Sequence, residues 1–124
     1  MSTAALERTL TALFADRLGL VVDQGIFRGA LPPERPEAVA VILSAVATPN
    51  TPSAPTYSLQ LLGRFLDRDT ALELAQAADA IAPHHDGPLT ILKAGSAAVY
   101  RTRHDGRDVA GLSANYTVRH RSTD

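Results

Sequence analysis

Cysteine is missing from this chain of 124 residues, and its absence excludes several kinds of chemistry. Without a thiol, the chain forms no disulfide framework, binds no metal through thiolates and has no cysteine nucleophile. Its 8 glycines never assemble into GxGxxG or GxxxxGK, the loops that surround a phosphate with backbone amides. We therefore expect no cofactor that depends on these motifs.

Long apolar runs are missing as well. Residues 1–19 place Glu7, Arg8, Asp16 and Arg17 among the leucines, so they match neither the apolar region of a signal peptide nor a membrane span. A formal net charge of −1 argues against a protein that binds nucleic acid by bulk charge. We expect a soluble protein made in the cytoplasm, with no membrane partner and no sequence-specific nucleic-acid partner.

The composition is that of one globular domain. Hydrophobic residues make up 45% and charged residues 20% of the chain, a balance that builds a core and does not favour disorder. A chain of this length builds one core, so we predict a single domain over residues 1–124. Pro49, Pro52 and Pro55 predict a mobile proline-rich loop over 47–56, and the polar end predicts a flexible tail over 120–124.

Two stretches have helical periodicity. The first helix is predicted over 3–18, where leucines recur every three or four residues, and Gly19 ends it in a left-handed conformation. The second follows the sequence DRDT at 67–70: Thr70 and Glu73 have capping-box spacing, and Asp67 and Asp69 can satisfy free amides near the helix start and interact favourably with its dipole. Pro83 stops the helix. The apolar stripe predicted for it consists of Leu72, Leu74, Ala75, Ala78 and Ile81.

Strands are predicted before and after the second helix. Residues 39–46 are apolar on both faces of an extended chain, which indicates a central strand, and residues 57–66 alternate. Asp105-Gly106 predicts a two-residue hairpin that places Arg103 opposite Asp108 and Val99 opposite Leu112. The expected fold class is α+β, with a mostly antiparallel sheet and two helices packed on one face.

The histidines are the first candidates for chemistry. His84, His85 and Asp86 are residue types that bind zinc, but neighbours on an extended turn point apart, and no HxxxH spacing accompanies them. The prolines and glycine around them predict an exposed turn. His104 and His120 are isolated, and no GxSxG sequence supplies a nucleophile. We therefore predict no catalytic residue, no metal ligand and no enzyme activity.

A contact surface is predicted instead. One face of the strand at 57–66 mixes polar and apolar side chains, whereas a face exposed only to water is expected to be mostly polar. In the later strands, Arg101 and Arg103 are two residues apart, as are Arg119 and Arg121, so the two side chains of each pair lie on the same strand face. Such a pair can bind phosphates or an acidic partner, or form ion pairs with carboxylates of the same chain. The predicted subunit or partner interface consists of Gln60, Leu62, Arg64, Arg101, Arg103, Asn115 and Arg119.

The order of these segments resembles the small tail-terminator (tail-completion or minor capsid) proteins of long-tailed bacteriophages. The resemblance spans residues 6–118 and rests on LERTLTALFADRLGL, on GIFRGALPPERPEAVAVIL, and on a strand with Gln60 and Arg64 that leads into TALELAQAADAI. It implies an α+β subunit that assembles as a ring, usually hexameric. Such a ring caps the finished tail tube and presents a surface to the head–tail connector protein. The chain would then belong to the virion, at the head–tail interface, after assembly in the cytoplasm of the bacterial host.

Two other interpretations stay open. A small α+β enzyme, or a ligand- or metal-binding domain, would use His84 or His85, and zinc would then stabilise it against heat. A regulatory protein or an assembly chaperone would bind an acidic partner through its arginine faces, with an affinity that falls as salt rises.

Overall fold

The computed structural model describes residues 2–46 and 56–121. In chain order the elements are α1 (Thr3–Leu18), β1 (Ile26–Arg28), β2 (Ala38–Val46), β3 (Thr56–Phe65), α2 (Arg68–Asp79), β4 (His84–Asp86), β5 (Leu89–Lys93), β6 (Ala98–His104) and β7 (Arg107–His120). Of the predicted loop 47–56, Thr56 begins β3, and the rest lies outside the described residues. Of the predicted tail 120–124, His120 pairs with Leu89 in the sheet, and residues 122–124 lie outside the described residues.

The seven strands form one sheet in the order β1, β2, β3, β7, β5, β4, with β6 also paired to β7. Among these strands, β1 and β2 are parallel and every other pair is antiparallel. On one side of β7 two strands follow each other end to end, β6 along residues 107–113 and β5 along residues 116–120. α1 packs over β1 and β2, and α2 packs over β3, β6 and β7. The predicted α+β fold is confirmed.

α1 forms over the predicted residues because both of its ends are capped. The Ser2 hydroxyl accepts a hydrogen bond from the Ala5 amide (3.1 Å), an N-cap that periodicity alone does not reveal. Gly19 has a φ of 68°, and the Leu20 amide donates to the Ala15 carbonyl (2.9 Å), as expected for a glycine C-cap. The buried stripe includes Leu6, Leu10, Phe14 and Leu18. Neither α1 nor α2 is long and apolar enough to cross a membrane.

α2 begins earlier than its capping-box spacing predicted. The N-cap is Asp67, whose carboxylate accepts hydrogen bonds from the Asp69 amide (3.3 Å) and the Thr70 hydroxyl (3.2 Å). Thr70, which the capping-box spacing favours, therefore lies inside the helix, whereas Asp67 satisfies a free amide at the helix start as expected and places a negative charge at the positive end of the helix dipole. Of the predicted apolar stripe, Ala75, Ala78 and Ile81 are buried and Leu74 is partly buried against the core, whereas Leu72 is exposed and Ala71 is buried.

The Asp105-Gly106 turn joins β6 to β7 as predicted. Both turn residues have positive φ, 52° and 77°, which is the conformation of two-residue turns that match the twist of paired strands. Arg103 lies opposite Asp108, and Val99 lies opposite Leu112, so both predicted cross-strand pairs are confirmed.

His84, His85 and Asp86 form the edge strand β4 and not the predicted exposed turn. They pair with β5 across a tight connection at Gly87, which has a φ of 58°. The glycine and proline signals therefore mark the connection between two strands. A strand of three residues is too short to show alternation in a sequence.

Alternation along the strands divides the sheet into a face under the helices and an open face. The side chains of β2, β3 and β7 buried under the helices are Val39, Val41, Leu43, Leu59, Leu61, Leu112, Ala114, Tyr116 and Val118. The open face is defined here by the side chains that alternate with them: Ile42, Ser44, Ser58, Gln60, Leu62, Arg64, Ser113, Asn115, Thr117 and Arg119. Residues 29–37, the crossover from β1 to β2, lie against one corner of this face. Ala38 and Ala40 are buried there, which explains why the start of β2 is apolar on both faces.

Tyr116 joins the sheet to both helices. Its hydroxyl donates a 2.7 Å hydrogen bond to the Ala78 carbonyl of α2. Its ring meets Phe14 of α1 edge to face, with the ring centroids 5.2 Å apart. A buried hydrogen bond and an aromatic pair of this kind each contribute about 1 kcal/mol. One side chain of β7 therefore fixes the positions of the two helices on the sheet.

Replacing Tyr116 by phenylalanine tests this junction. Tyr116→Phe keeps the ring pair and removes the hydrogen bond, so we expect the free energy of unfolding in urea to fall by about 1 kcal/mol. The matched control is Tyr100→Phe, because Tyr100 is 45% exposed and its change is expected to stay within about 0.5 kcal/mol. Equal stability of Tyr116→Phe and the wild type would contradict the assigned role.

The same side chain predicts how stability depends on alkaline pH. Burial, assisted by the negative charge of Asp79, raises the pKa of the Tyr116 phenol well above its usual value. Folding favours the neutral phenol, so its contribution is complete below the unfolded pKa of about 10 and is lost as the pH rises above it. Above about pH 10, the free energy of unfolding should fall more steeply in the wild type than in Tyr116→Phe. Parallel curves would contradict this.

Candidate functional site

The open face collects five of the seven residues predicted for the interface. Gln60 lies opposite Ile42 on one neighbouring strand and opposite Asn115 on the other, and Leu62 lies opposite Ser113. Arg64 and Arg119 share this face. The structure therefore brings Gln60, Leu62, Arg64, Asn115 and Arg119 onto one surface, which neither helix covers.

The charged side chains of the open face, Arg64 and Arg119, are both positive. In the described strands no aspartate or glutamate side chain is on this face; Asp86 and Asp108 both lie on the helix side by register. Its charged groups are arginines, and its centre is uncharged, with Ile42 and Leu62 half-buried beside Gln60. Such a surface suits contact with a neutral or acidic protein surface.

Arg64 lies on the open face, but the chain itself uses its guanidinium. The Arg64 Nη2 donates to the Pro32 carbonyl (2.6 Å) and to the Arg35 carbonyl. Arg35 stacks over the Phe27 ring, 5.0 Å from its centroid, and donates to the Gln24 carbonyl (2.7 Å). Arg64 therefore holds the crossover against the sheet. Only the part of its side chain that these hydrogen bonds leave exposed can contact another protein.

Arg101 and Arg103 lie apart from the other five. β6 pairs with β7 so that Val99, Arg101 and Arg103 alternate onto the helix side of the sheet. Both arginines are exposed there, and Arg103 lies 3.7 Å from Asp108. This placement follows from the hairpin register. Val99 lies opposite the buried Leu112 on the helix side of the sheet, and Arg101, two residues further along the strand, lies on the same side.

The histidines do not converge. His84 and His85 alternate to opposite faces of β4: the His84 Nδ1 lies 3.4 Å from Arg17 Nη2, and the His85 Nδ1 lies 3.2 Å from Thr90 Oγ1. Within residues 2–46 and 56–121, no three His, Asp or Glu side chains are close enough to hold a metal ion.

Three carboxylates with no role predicted from sequence accept backbone amides at the margins of the sheet. Glu7 accepts from the Leu43 amide (3.1 Å), where β2 extends beyond its pairing with β1, and Glu7 also pairs with Arg28 (3.2 Å). The other two bonds join Glu37 to the Leu66 amide (3.0 Å) and Asp79 to the Ala97 amide (2.9 Å). The partners are 18 to 36 residues apart, so no local pattern reveals them. These carboxylates satisfy strand-edge amides.

No protein-family model and no curated protein matches this sequence. A solved protein structure has a similar fold, with a TM-score of 0.58 over 98% of this chain and 94% of the other. The two sequences are 14% identical, so the likeness shows the fold alone.

The role of Arg64 is testable by a conservative change. Arg64→Lys keeps the charge but cannot present the same planar group to two carbonyls, so we expect a loss of about 1–2 kcal/mol in the free energy of unfolding. The control is Arg119→Lys, an exposed arginine of the same face, which should change stability by less than about 0.5 kcal/mol. Equal effects of the two substitutions would show that Arg64 does not hold the crossover.

Proposed function

We propose that this chain is a structural virion protein, a subunit of a hexameric ring that caps the tail tube of a long-tailed bacteriophage and joins it to the head–tail connector. The observation that carries the proposal is the open face. Neither helix covers it, it is free of carboxylates in the described strands, and it has half-buried apolar side chains at its centre. These are properties of a surface that contacts another protein.

The arrangement of the polar groups supports contact over catalysis. Glu7, Glu37 and Asp79 bond to backbone amides, and Tyr116 is buried between the helices. His84 and His85 point to opposite faces. These polar side chains therefore form hydrogen bonds within the chain, and we assign the binding of other proteins to the open face.

The sequence resemblance supplies the kind of partner. A tail-terminator ring has a subunit-to-subunit contact and a contact with the tail tube on one side and the connector on the other. On this proposal, Gln60, Leu62, Asn115 and Arg119 belong to the contact surfaces of the ring. The chain works by shape and complementary charge, without a cofactor, in the tail of the virion.

A matched pair of substitutions tests the open face. Gln60→Glu places a carboxylate at its centre, where it is desolvated on contact, so we expect binding to purified tail tubes to weaken about tenfold or more. Gln76→Glu is the same chemical change on the exposed surface of α2 and should leave binding unchanged. Co-sedimentation with tail tubes measures both, and melting temperatures check folding.

Native mass spectrometry and negative-stain images of the wild type test the ring itself. We expect a hexamer, alone or on the ends of tail tubes. A chain that stays monomeric and ignores tail tubes would contradict the proposed function, as would equal effects of Gln60→Glu and Gln76→Glu.

A further inference from the structure

Several large apolar side chains are exposed at two separate margins of the sheet. Val21 and Val22, 57% and 41% exposed, lie beside β1. Leu66, which follows β3, and Tyr100 of β6, 50% and 45% exposed, line one groove together with residues of β7. β1 ends the strand order on one side, and β6 lies on the far side of β7. We name these margins the β1 edge (Val21, Val22, Asp23, Leu31) and the β6 edge (Leu66, Arg68, Tyr100, Arg101).

In the described part of the chain, the β1 edge contains a groove with one unpaired negative charge, on Asp23, and one unpaired positive charge, on Arg8. The groove encloses about 610 Å³ between α1, β1 and the crossover, and its lining includes Arg8, Val22, Asp23 and Leu31. Arg28 also lines it but is paired with Glu7. Among the described residues, Asp23 has no ion pair within 4.0 Å, and it is exposed.

The β6 edge has apolar side chains and unpaired positive charge. Its groove encloses about 430 Å³ and is lined in part by Leu66, Arg68, Tyr100 and Arg101. Asp108 also lines it and pairs with Arg103. Arg68 and Arg101 form no ion pair within 4.0 Å in the part of the chain that the structure describes.

The two edges complement each other better than the β6 edge complements itself. Contact between two β6 edges would bring Arg68 and Arg101 of one copy against the same arginines of the other, and like charges at a contact are unfavourable. Contact between a β6 edge and a β1 edge brings Arg101 towards Asp23 and covers apolar side chains on both. Identical subunits that meet through two different surfaces form a closed ring when their rotation closes.

We propose that the β6 edge of one copy of this chain docks against the β1 edge of the next copy, with Arg101 paired to Asp23 across the contact. This inference rests on the ring assembly proposed above, and it assigns the subunit contact to the edges. The open face is then left for the tail tube, on one side of the ring.

Charge exchange tests the pairing. Arg101→Glu and Asp23→Lys each place like charges across the contact, so each should raise the subunit dissociation constant about tenfold or more in analytical ultracentrifugation. The double variant restores opposite charges and should return to within about threefold of the wild type. Arg121→Glu is the control: it is an exposed arginine beyond the opposite end of β7 and should leave association unchanged.

A further variant separates charge from backbone effects. Asp23 has a φ of 66°, a conformation that asparagine tolerates better than lysine does. Asp23→Asn therefore removes the charge without strain, and it should weaken association by less than Asp23→Lys does. Circular dichroism and melting curves confirm that each variant is folded.

The outcomes are distinguishable. Single reversals that leave association unchanged, or a double variant that does not recover, would overturn the edge contact. Rescue of Asp23→Lys by Arg8→Glu, and not by Arg101→Glu, would show two β1 edges meeting in a two-fold dimer and would also overturn it. A ring that obeys the charge exchange but ignores tail tubes would support the edge contact and contradict the proposed function.

Discussion

The hydrogen bond from Tyr116 to the Ala78 carbonyl, together with the ring contact to Phe14, joins both helices to the sheet face that the apolar alternation of the strands buries. A two-layer α+β fold buries one sheet face under its helices, and here a single side chain of β7 fixes both of them. The register with β7 or β3 orients β2, β5 and β6, and pairing with β2 and β5 then orients β1 and β4. The core residues lie under the helices as a result, and Gln60, Leu62 and Asn115 lie on the opposite side.

Among the described residues, the open face and the two edges keep exposed side chains, and the proposals above assign these surfaces to contacts with other molecules. The carboxylates Glu7, Glu37 and Asp79 and the guanidinium of Arg64 bond to backbone groups at the margins of the sheet. They stabilise the places where strands end or lose a partner. Polar chemistry in the described chain therefore serves architecture, which is consistent with a protein that works by contact.

The sequence predicts well wherever the physical signal is local. The periodicity of α1 with Gly19, the alternation of β3 and the Asp105-Gly106 turn each lie within one stretch of chain, and all three are found as expected. The start of α2 was predicted only in part, because Asp67 and Thr70 are both good N-caps three residues apart, and spacing alone does not rank them. β4 was missed because three residues show no periodicity.

The candidate site is less predictable because its partners are distant in sequence. The acceptors of Arg64 are carbonyls 29 and 32 residues away, and no side-chain pattern announces a carbonyl. That Arg101 lies on the helix side and not on the open face could have been predicted from the sequence, since the register of the hairpin fixes it. The edges emerged from the structure alone, because unpaired charge and exposed apolar area depend on what the fold leaves uncovered.

Crosslinking between copies tests the central claim most directly, because the chain has no cysteine of its own. A variant with both Asp23→Cys and Arg101→Cys would carry one thiol on each edge, and a short bifunctional maleimide would join the edges wherever two copies meet. A ring predicts a ladder of crosslinked species on a denaturing gel that ends at the hexamer. Monomers alone, or a ladder that stops at the dimer, would contradict a ring closed through its edges.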